Sequence, residues 1–455
     1  MKKTRIIAGA VVMASLGALV GGFQLPPAVR AAPVPGGVID VADGEALASA
    51  VATAPPGTLI RLAPGDYPRL VVNRQIDGEP VRISGPRTAR INQLLFNKAA
   101  GWQLDGVTVL GGPGRLMPLD IGLSRDILVS GVLLTGTTPG DGPGDEDSNG
   151  VTIRNCEGVV LAGSEITHVK QIAGVRDSFG VVIEGNRFTN AREGIMVRAT
   201  HGLAIRHNSF QGWQPRFDLF EHPDMIQFMT QQVPTGSTMV TIAGNFLMAG
   251  RDSAIQGIFI RAEAYENGKE PLGYHRDFTI RNNVYYGSSR HGISMTNIRG
   301  VVAENNTVIG SPHAYVGNVP RDPTGRSSTG FQPSIMAQGI TWGRIANNIS
   351  ALMAVRAEAW RTKDSNNFVY NPRMPGDERN PGRSFTAAIT AGDLPLSAFA
   401  IRPGSDAARH GRGADITQVG PDAASRDLPA LLAEARALAA RAHTQDLTQD
   451  LPPPN

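Results

Sequence analysis

The sequence predicts an all-β fold, a single-stranded right-handed parallel β-helix built from coils of about 22 residues. The first observation is a repeat, because Arg154, Arg176 and Arg198 stand 22 residues apart. Three more columns keep this spacing: Leu161, Ile183 and Ile205; Ser164, Asn186 and Asn208; and Ile166, Phe188 and Phe210. The second observation is that each repeat contains short runs of alternating apolar residues, which predict strands rather than helices. The third is a composition of 53 glycines with 6% aromatic and 18% charged residues, which favours short strands joined by many turns.

An asparagine column marks one bend of each coil and continues past the regular repeats, where the coils carry insertions. Its later members are Asn245, Asn283, Asn306 and Asn348. Asparagine tolerates a left-handed backbone, and its amide can bond to the asparagine of the next coil. We therefore expect an amide ladder that belongs to the scaffold, with Phe188, Phe210 and Phe246 stacked inside just beyond it.

The N-terminus predicts an exported protein. Residues 2–5 carry three cations, residues 6–20 are apolar, and the small residues Ala28, Ala31 and Ala32 offer a cleavage zone. Residues 1–32 are therefore expected to be a signal peptide, with a membrane anchor as the alternative. The expected location is periplasmic or secreted, with no membrane partner after cleavage. The single cysteine, Cys156, excludes a disulfide framework.

The mature chain divides into two expected parts. Residues 38–350 are expected to form the β-helix, with an N-terminal capping helix at 45–53 that blocks edge pairing at the open end. Residues 351–455 are expected to form a closing segment with a helix at 427–442 and a loose tail beyond 445. Because a capped solenoid can stand alone, we expect a monomer.

The termini and the asparagine column together resemble known proteins. Residues 56–67, PGTLIRLAPGDY, resemble the first strand of many bacterial β-helix proteins, and residues 413–421 resemble their closing segment. The chain thus resembles the pectin-lyase-like superfamily, and within it the chondroitinase-B and alginate lyase group. That group has a catalytic lysine in one coil and an arginine in the next. Arg198 matches the arginine, but Arg176 stands where the lysine is expected, and arginine is a poor base. Either the base has moved or the activity differs.

Alternation along the strands places three columns on one outer face. Ile195 and Val197 point inward, so Met196 and Arg198 point outward. The outermost column is Arg154, Arg176, Arg198, Met229, Arg261 and Thr296. The middle column is Thr152, Gly174, Met196, Gln227, Phe259 and Ser294. The entrance column is Asn149, Gln171, Glu193, Asp224, Gln256, His291 and Gln338.

Stacked guanidinium groups about 4.8 Å apart repel one another unless an anion lies over them. One interpretation is a groove that binds an acidic polysaccharide. The alternative is a solvated ladder balanced by Glu193, Asp177 and Asp224. The net charge of +3 permits an acidic partner, and the absence of a basic run or zinc-ligand spacing gives no reason to expect nucleic acid.

The resemblance implies a lyase that cleaves a uronate polymer by β-elimination. That reaction needs a group that neutralises the carboxylate, a base and an acid. Arg198 and Arg261 suit the first task. The candidates for the base cluster at 221–227, where His222 can titrate near neutrality and Asp224 lies on the groove strand, with Lys170 and His291 in reserve. The expected substrate-binding residues are Arg154, Arg176, Gln227, His291 and Trp213. No cofactor is required by these residues, although Glu193 and Asp224 on adjacent coils could share a Ca²⁺ ion.

Two other classes of function stay open. A uronate epimerase or a glycoside hydrolase could use the same groove, and a hydrolase would need two essential carboxylates, for which Asp224 and Asp252 are candidates. A surface-binding β-helix without catalysis is the second alternative. The long insertions at 211–223 and 262–274 favour a walled cleft, because insertions on one face of a solenoid often form the site.

Overall fold

The structure is a computed structural model, and it describes residues 36–111, 117–136, 148–213, 223–249, 255–266, 268, 272–310, 333–356, 362–369, 381–389 and 393–445. The predicted signal peptide at 1–32 and the predicted tail beyond 445 lie outside these residues. Among the residues that are described, no helix has the length and apolar character needed to cross a bilayer.

Short strands make up most of the described chain. In order they are β1 (Val38–Val41), β2 (Leu59–Leu62), β3 (Gly65–Tyr67), β4 (Leu70–Val72), β5 (Val81–Ser84), β6 (Ala89–Asn92), β7 (Leu94–Asn97), β8 (Ala100–Asp105), β9 (Thr108–Leu110), β10 (Leu119–Gly122), β11 (Arg125–Ser130), β12 (Leu133–Thr135), β13 (Val151–Arg154), β14 (Glu157–Ala162), β15 (Glu165–Arg176), β16 (Phe179–Glu184), β17 (Arg187–Arg198), β18 (His201–Arg206), β19 (Ser209–Gln211), β20 (Asp224–Phe228), β21 (Thr238–Ala243), β22 (Phe246–Met248), β23 (Gln256–Arg261), β24 (His275–Arg281), β25 (Val284–Gly287), β26 (His291–Glu304), β27 (Thr307–Gly310), β28 (Ser334–Ala346), β29 (Ile349–Ser350), β30 (Leu352–Val355), β31 (Thr362–Ser365) and β32 (Phe368–Val369). The helices are α1 (Gly44–Thr53), α2 (Glu263–Glu266), α3 (Pro381–Ser384), α4 (Asp406–Arg409) and α5 (Leu428–Thr444), with 3-10 turns at Leu396–Phe399, Ile416–Gln418 and Pro421–Ala423.

The strands pair in parallel from coil to coil and form three faces, which we call sheets 1, 2 and 3. Sheet 1 runs through β4, β7, β10, β13, β20, β23 and β30. Sheet 2 runs from β1 and β2 through β14, β16 and β18 to β31, and sheet 3 runs from β3 through β12 and β19 to β32. The long strands β15 and β17 turn from sheet 3 into sheet 1, and β26 and β28 turn from sheet 1 into sheet 2. The predicted parallel β-helix, with helical segments at both ends, is confirmed.

The predicted repeat sets the pairing of the regular coils. Arg154 pairs with Arg176, and Arg176 pairs with Arg198. Ile195 and Val197 are fully buried, as the alternation predicts. Later coils are longer, since Ile195 pairs with Ile226 and Ile226 with Ile258. One position of the entrance column was predicted wrongly. His291 pairs with Ser334, whereas Gln338 pairs with Thr296 in the outermost column, because the register shifts between His291 and Ile293.

The amide ladder between sheets 2 and 3 is confirmed. The side chain of each asparagine donates from Nδ2 to Oδ1 of the next, at 2.9–3.0 Å from Asn186 to Asn367. Each Oδ1 also accepts from the backbone N–H one coil earlier, so both ends of the amide are used. The left-handed conformation was expected at the ladder asparagines themselves, but it belongs to the residue before them, such as His207 and Asn282.

The interior stack beyond the ladder differs from the prediction at one position. Phe188 and Phe210 pack edge to face with ring centres 4.8 Å apart. Phe246 does not continue this stack, because Phe210 pairs with Leu247 and Phe246 pairs with Ser209. Phe246 instead faces the closing segment, 5.9 Å from Phe399. Phe246 comes one residue after its ladder asparagine, whereas Phe188 and Phe210 come two residues after theirs. Because successive side chains of a strand point to opposite faces, Phe246 lies on the opposite side of the sheet.

The two predicted terminal helices form within two residues of the expected bounds. Asp43 caps α1 by accepting a bond from the N–H of Ala46 at 2.8 Å. Helix α5 lies along the outer face of sheet 2, where Leu431, Ala435 and Leu438 cover an apolar surface. An ion-pair network fixes this contact: Arg206 bonds Glu184 and Glu434, each at 2.5 Å.

Two buried histidines at the corner between sheets 1 and 2 make stability depend on pH. His275 Nδ1 accepts from the N–H of Ser237 at 3.0 Å, so its Nε2 carries the proton and donates to the carbonyl of Arg261 at 3.1 Å. Burial lowers the pKa of His275 to about 4, and burial likewise lowers the pKa of His201 to about 4 despite the nearby Asp177. Both rings are therefore held neutral in the folded protein.

Acidification is expected to destabilise the protein as these rings take up protons. Since both folded-state pKa values lie below the ordinary value of 6.5, their contribution is complete above about pH 6.5 and is lost as the pH falls to about 4, at roughly 2–3 kcal/mol per ring. Urea unfolding across this range measures the loss. His201→Phe, which keeps the stacking on Phe179, should show a smaller loss than the wild type. Equal pH dependence in the two proteins would contradict this assignment for His201.

Candidate functional site

An open groove of about 1190 Å³ lies on the outer face of sheet 1, beside the short helix α2. Side chains from successive coils of the sheet and from α2 face it. The described residues that line it are Glu193, Met196, Gln227, Met229, Gln231, Phe259, Arg261, Glu263, Tyr265, Glu266, His291, Ser294, Thr296, Asn297, Met336 and Gln338. Parallel stacking creates this site, because residues in equivalent positions of successive coils meet about 4.8 Å apart.

Four of the predicted site residues line this groove: Glu193, Gln227, Arg261 and His291. Asp224 lies beside it, since it belongs to the same column as Glu193 and pairs directly with Gln256. The predicted columns therefore bring acidic, amide, guanidinium and imidazole groups to one surface.

Helix α2 forms one wall of the groove and is fixed at both ends. Glu263 accepts a bond from the N–H of Thr230 at 2.9 Å, and the hydroxyl of Thr230 accepts one from the N–H of Ala264 at 2.8 Å. Glu266 bonds Arg261 at 2.9 Å and accepts from Asn297 at 3.2 Å. The insertion at 262–274 was recognised in the sequence, but the wall residues Tyr265 and Glu266 were not. The signal in the sequence that could have identified these two wall residues was their position within that insertion.

The outermost column contains four arginines, Arg154, Arg176, Arg198 and Arg261, and three of them have carboxylate partners. Arg154 bonds Asp120 at 3.0 Å, Arg176 bonds Asp177 at 2.7 Å, and Arg261 bonds Glu266 at 2.9 Å. Asp177 was among the carboxylates expected to balance the charge of these arginines. The other two partners, Asp120 and Glu266, were not predicted, and they stand in place of the expected Glu193 and Asp224. A substrate carboxylate at Arg261 must therefore compete with Glu266.

Arg198 has no carboxylate partner of this kind among the described residues. Its Nε is buried and makes no hydrogen bond to any residue in the described part of the chain. Its own strand contributes Met196 to the groove, and Met229, its neighbour in the column, lines the groove on the next coil. Burial lowers the pKa of Arg198, the adjacent Arg176 lowers it further, and Glu263 opposes both. The group still stays protonated at neutral pH. Arg198 is therefore a half-buried cation beside the groove, next to the lining residue Met229 but not itself part of the described lining.

The entrance column forms the other side of the groove floor. Asp224 is 4% exposed and Gln256 is 3% exposed. His291 is half-buried and meets Phe259 edge-on, with ring centres 5.4 Å apart. Below them, Tyr285 donates to the carbonyl of Ile255 at 2.9 Å. Burial raises the pKa of the Tyr285 phenol, and the charge of Asp224 adds to the effect.

The calcium site proposed for Glu193 and Asp224 stays a prediction. The two carboxylates occupy one column on adjacent coils, but no cluster of three or more His, Cys, Asp or Glu side chains suited to a metal occurs among the described residues. The donor set is thus smaller than a hard cation such as Ca²⁺ ordinarily takes.

The remaining predicted residues do not face the groove or cannot be placed. Lys170 is half-buried on β15, one residue before Gln171, and is not part of the described lining. Trp213 stacks on Phe210 with ring centres 6.3 Å apart and packs against the core. Arg154 and Arg176 lie on coils below the groove. His222 and Asp252 lie outside the described residues.

Comparison with known proteins gave matches among solved structures only. No protein-family model and no curated protein matches the chain. It is similar to the solved PL6 family alginate lyase AlyGC, with 14% identity, a TM-score of 0.48, and coverage of 86% of this chain but only 58% of that one. It is also similar to an alginate lyase from Paenibacillus sp. str. FPU-7, with 15% identity, a TM-score of 0.42 and coverage of 72% and 99%. A third similar structure is PfbA, a surface adhesin of Streptococcus pneumoniae, with 12% identity, a TM-score of 0.38 and coverage of 70% and 79%. The similar solved structures thus include two alginate lyases and a surface adhesin.

Proposed function

We propose that this protein is an exported, periplasmic or secreted lyase that cleaves an acidic, uronate-containing polysaccharide by β-elimination. The observation that carries the proposal is Arg198, a half-buried guanidinium beside the groove with no carboxylate partner among the described residues. The Nε of Arg198 is buried without a hydrogen-bond acceptor, and such a donor is costly unless a ligand supplies the acceptor. A uronate carboxylate has the charge and the planar geometry that arginine binds best.

The elimination has a defined sequence of bond changes. A base removes the ring proton next to the carboxylate, a carbon–carbon double bond forms, and the bond to the glycosidic oxygen breaks as that oxygen takes a proton. Negative charge develops on the carboxylate during proton removal, and Arg198 stabilises it there. Arg261 lies two coils further along and, once Glu266 is displaced, binds a neighbouring carboxylate.

His291 is the base that the groove supports best. It lines the groove directly, beside Phe259 and Ser294, and imidazole exchanges protons near neutral pH. Lys170 has a less favourable position, because it lies off the described lining. His222 stays a candidate outside the described residues. Asp224 and Gln227 contribute polar contacts to the same sugar.

A glycoside hydrolase is the second candidate, and one observation favours it. Glu193 and Asp224 occupy the same column on adjacent coils. Adjacent strands lie about 4.8 Å apart, close to the roughly 5–5.5 Å that separates the two carboxyl groups of retaining glycosidases. In that case Asp224→Asn and Glu193→Gln would each abolish turnover.

A panel of polymers tests the proposal. Alginate, pectate, chondroitin, hyaluronan and glucuronan are incubated with the purified chain, with and without Ca²⁺, while unsaturated uronate absorbance and reducing ends are followed together. We expect both signals to rise in parallel on at least one polymer. Reducing ends without absorbance would favour the hydrolase. Sugar epimerisation without chain cleavage would favour an epimerase, and binding without any reaction would favour a surface-binding protein.

A further inference from the structure

A second surface stands out on sheet 2, at a column of residues with left-handed backbone. The column has one residue in each coil, at a position that the strand-to-strand pairing of sheet 2 skips. Its described members are Gly101, Asp126, Gly158, Gly180, Gly202, Met239, Asp277, Gly300 and Trp342, with φ between 52° and 73°. Glycine and aspartate occupy most of these places because they tolerate this conformation at least cost.

Helix α5 explains the glycines at the covered coils. A Cβ on Gly180 would lie 2.0 Å from the carbonyl oxygen of Ala435, and one on Gly202 would lie 2.8 Å from that of Leu438. The close approach of α5 therefore requires residues without side chains there. No such constraint acts at Trp342, where the indole-bearing residue is 42% exposed.

Trp342 is an unusual residue for this position. Its φ of 60° is one that bulky side chains rarely adopt, and a large apolar side chain gains little from exposure to water. Strained positions of this kind concentrate where a side chain serves a ligand. The scaffold alone does not require a tryptophan here, because glycine fills the equivalent place on the preceding coil.

A cation lies on the coil that precedes that of Trp342. Arg299 pairs with Thr341, the residue before Trp342, so the two side chains belong to neighbouring coils of one surface. The Arg299 guanidinium lies over the ring of Tyr274, 3.9 Å from its centre, and forms no ion pair with any described residue. Tyr274 in turn meets Tyr265 of the groove wall, with ring centres 5.7 Å apart.

The surface continues the groove around a corner. On β26, Asn297 lines the groove and also has the left-handed conformation that forms the bend, and Arg299 follows it. On β28, Gln338 lines the groove, Gly339 forms the bend, and Trp342 follows it. Four residues of extended strand span at most about 13 Å, and the bend at Gly339 shortens this distance. A polymer that leaves the groove at Gln338 therefore reaches Trp342 within a few sugar units.

We propose that Trp342 and Arg299 form an outer subsite for the acidic polysaccharide, which rests on the proposed function. The indole packs against the apolar face of a pyranose ring, and the guanidinium binds that sugar's carboxylate. The subsite takes a charged sugar of the chain portion that extends beyond the groove. It contributes to holding long polymers and not to bond cleavage.

Trp342→Gly tests this subsite, because glycine occupies the same backbone conformation at other coils and the variant is expected to unfold cooperatively like the wild type. Retardation in gels that contain the cleaved polymer measures binding without relying on turnover. We expect Trp342→Gly and Arg299→Ala to bind the polymer at least about ten-fold more weakly, the loss that removal of a central aromatic or arginine contact commonly produces. Cleavage of oligosaccharides short enough to fill only the groove should be unchanged.

Met239→Gly is the matched control, because it makes the same kind of change in the same column, three coils from Trp342. It should bind as the wild type does. Normal polymer binding by Trp342→Gly and Arg299→Ala would overturn the subsite while leaving the lyase proposal intact. Equal losses on polymers and short oligosaccharides would also overturn it. Failure of the wild type to bind or cleave any polymer would overturn the proposed function, and the subsite with it.

Discussion

Replacement of Arg198 by alanine is expected to lower the rate of polymer cleavage by about 10²–10³-fold, the usual effect of removing one group that stabilises developing charge. The reason is its position: the other arginines of the outermost column are held by Asp120, Asp177 and Glu266, whereas Arg198 has no partner of this kind among the described residues. Initial rates of unsaturated uronate formation over a range of polymer concentrations give kcat and KM for the comparison.

The pattern of kinetic loss separates catalysis from simple binding. We expect the decrease mainly in kcat, because the carboxylate gains charge in the transition state. Arg198→Lys should retain part of the activity, since it keeps the charge but loses the planar fork. Arg90→Ala is the control, because Arg90 is an exposed arginine paired with Asp66 on sheet 3. A loss confined to KM would contradict the catalytic role of Arg198.

The second large predicted effect is a loss of stability when the asparagine ladder is interrupted. Asn208→Ala is expected to lower the free energy of unfolding by about 3–5 kcal/mol, because it removes several buried hydrogen bonds and leaves buried partners without replacements. The Asn208 amide donates to the carbonyl of Ile183 and to Asn245, each at 3.0 Å, and accepts from the backbone N–H and the amide of Asn186 at 3.0 and 2.9 Å. Urea unfolding measures the change.

A surface asparagine provides the comparison for this variant. Asn92 lies exposed at the end of β6, so Asn92→Ala should change the stability by no more than about 0.5 kcal/mol. If Asn208→Ala behaved like Asn92→Ala, the ladder would not be the structural element described above.

The regular coils were predictable because each residue repeats its environment every 22 positions. Arg154, Arg176 and Arg198 fall in one column for this reason, and the burial of Ile195 and Val197 follows from strand alternation. The groove-facing position of Glu193 follows from the same two rules. Gln227, Arg261 and His291 lie on later, longer coils, and their placement needed the strand pattern and the bend asparagine that each of those coils keeps.

Predictions failed where spacing alone does not determine geometry. Gln338 was assigned to the wrong column because a register shift after His291 changes the pairing of β28. The partners of the arginines were also hidden, since Asp120 lies on an irregular early coil and Glu266 on an insertion. The outward-facing Val160 and Val182 were an available signal for the docking of α5, because apolar residues on an outer face need a cover.

The reaction class is the central claim, and mass spectrometry of products formed in oxygen-18 water tests it most directly. The polymer cleaved in the panel is digested in this solvent, and the new chain ends are analysed. β-Elimination breaks the chain without adding water, so we expect products with an unsaturated terminal uronate and no incorporated oxygen-18. Products that carry one oxygen-18 atom per cleavage and no double bond would contradict the lyase account and assign hydrolysis to the groove.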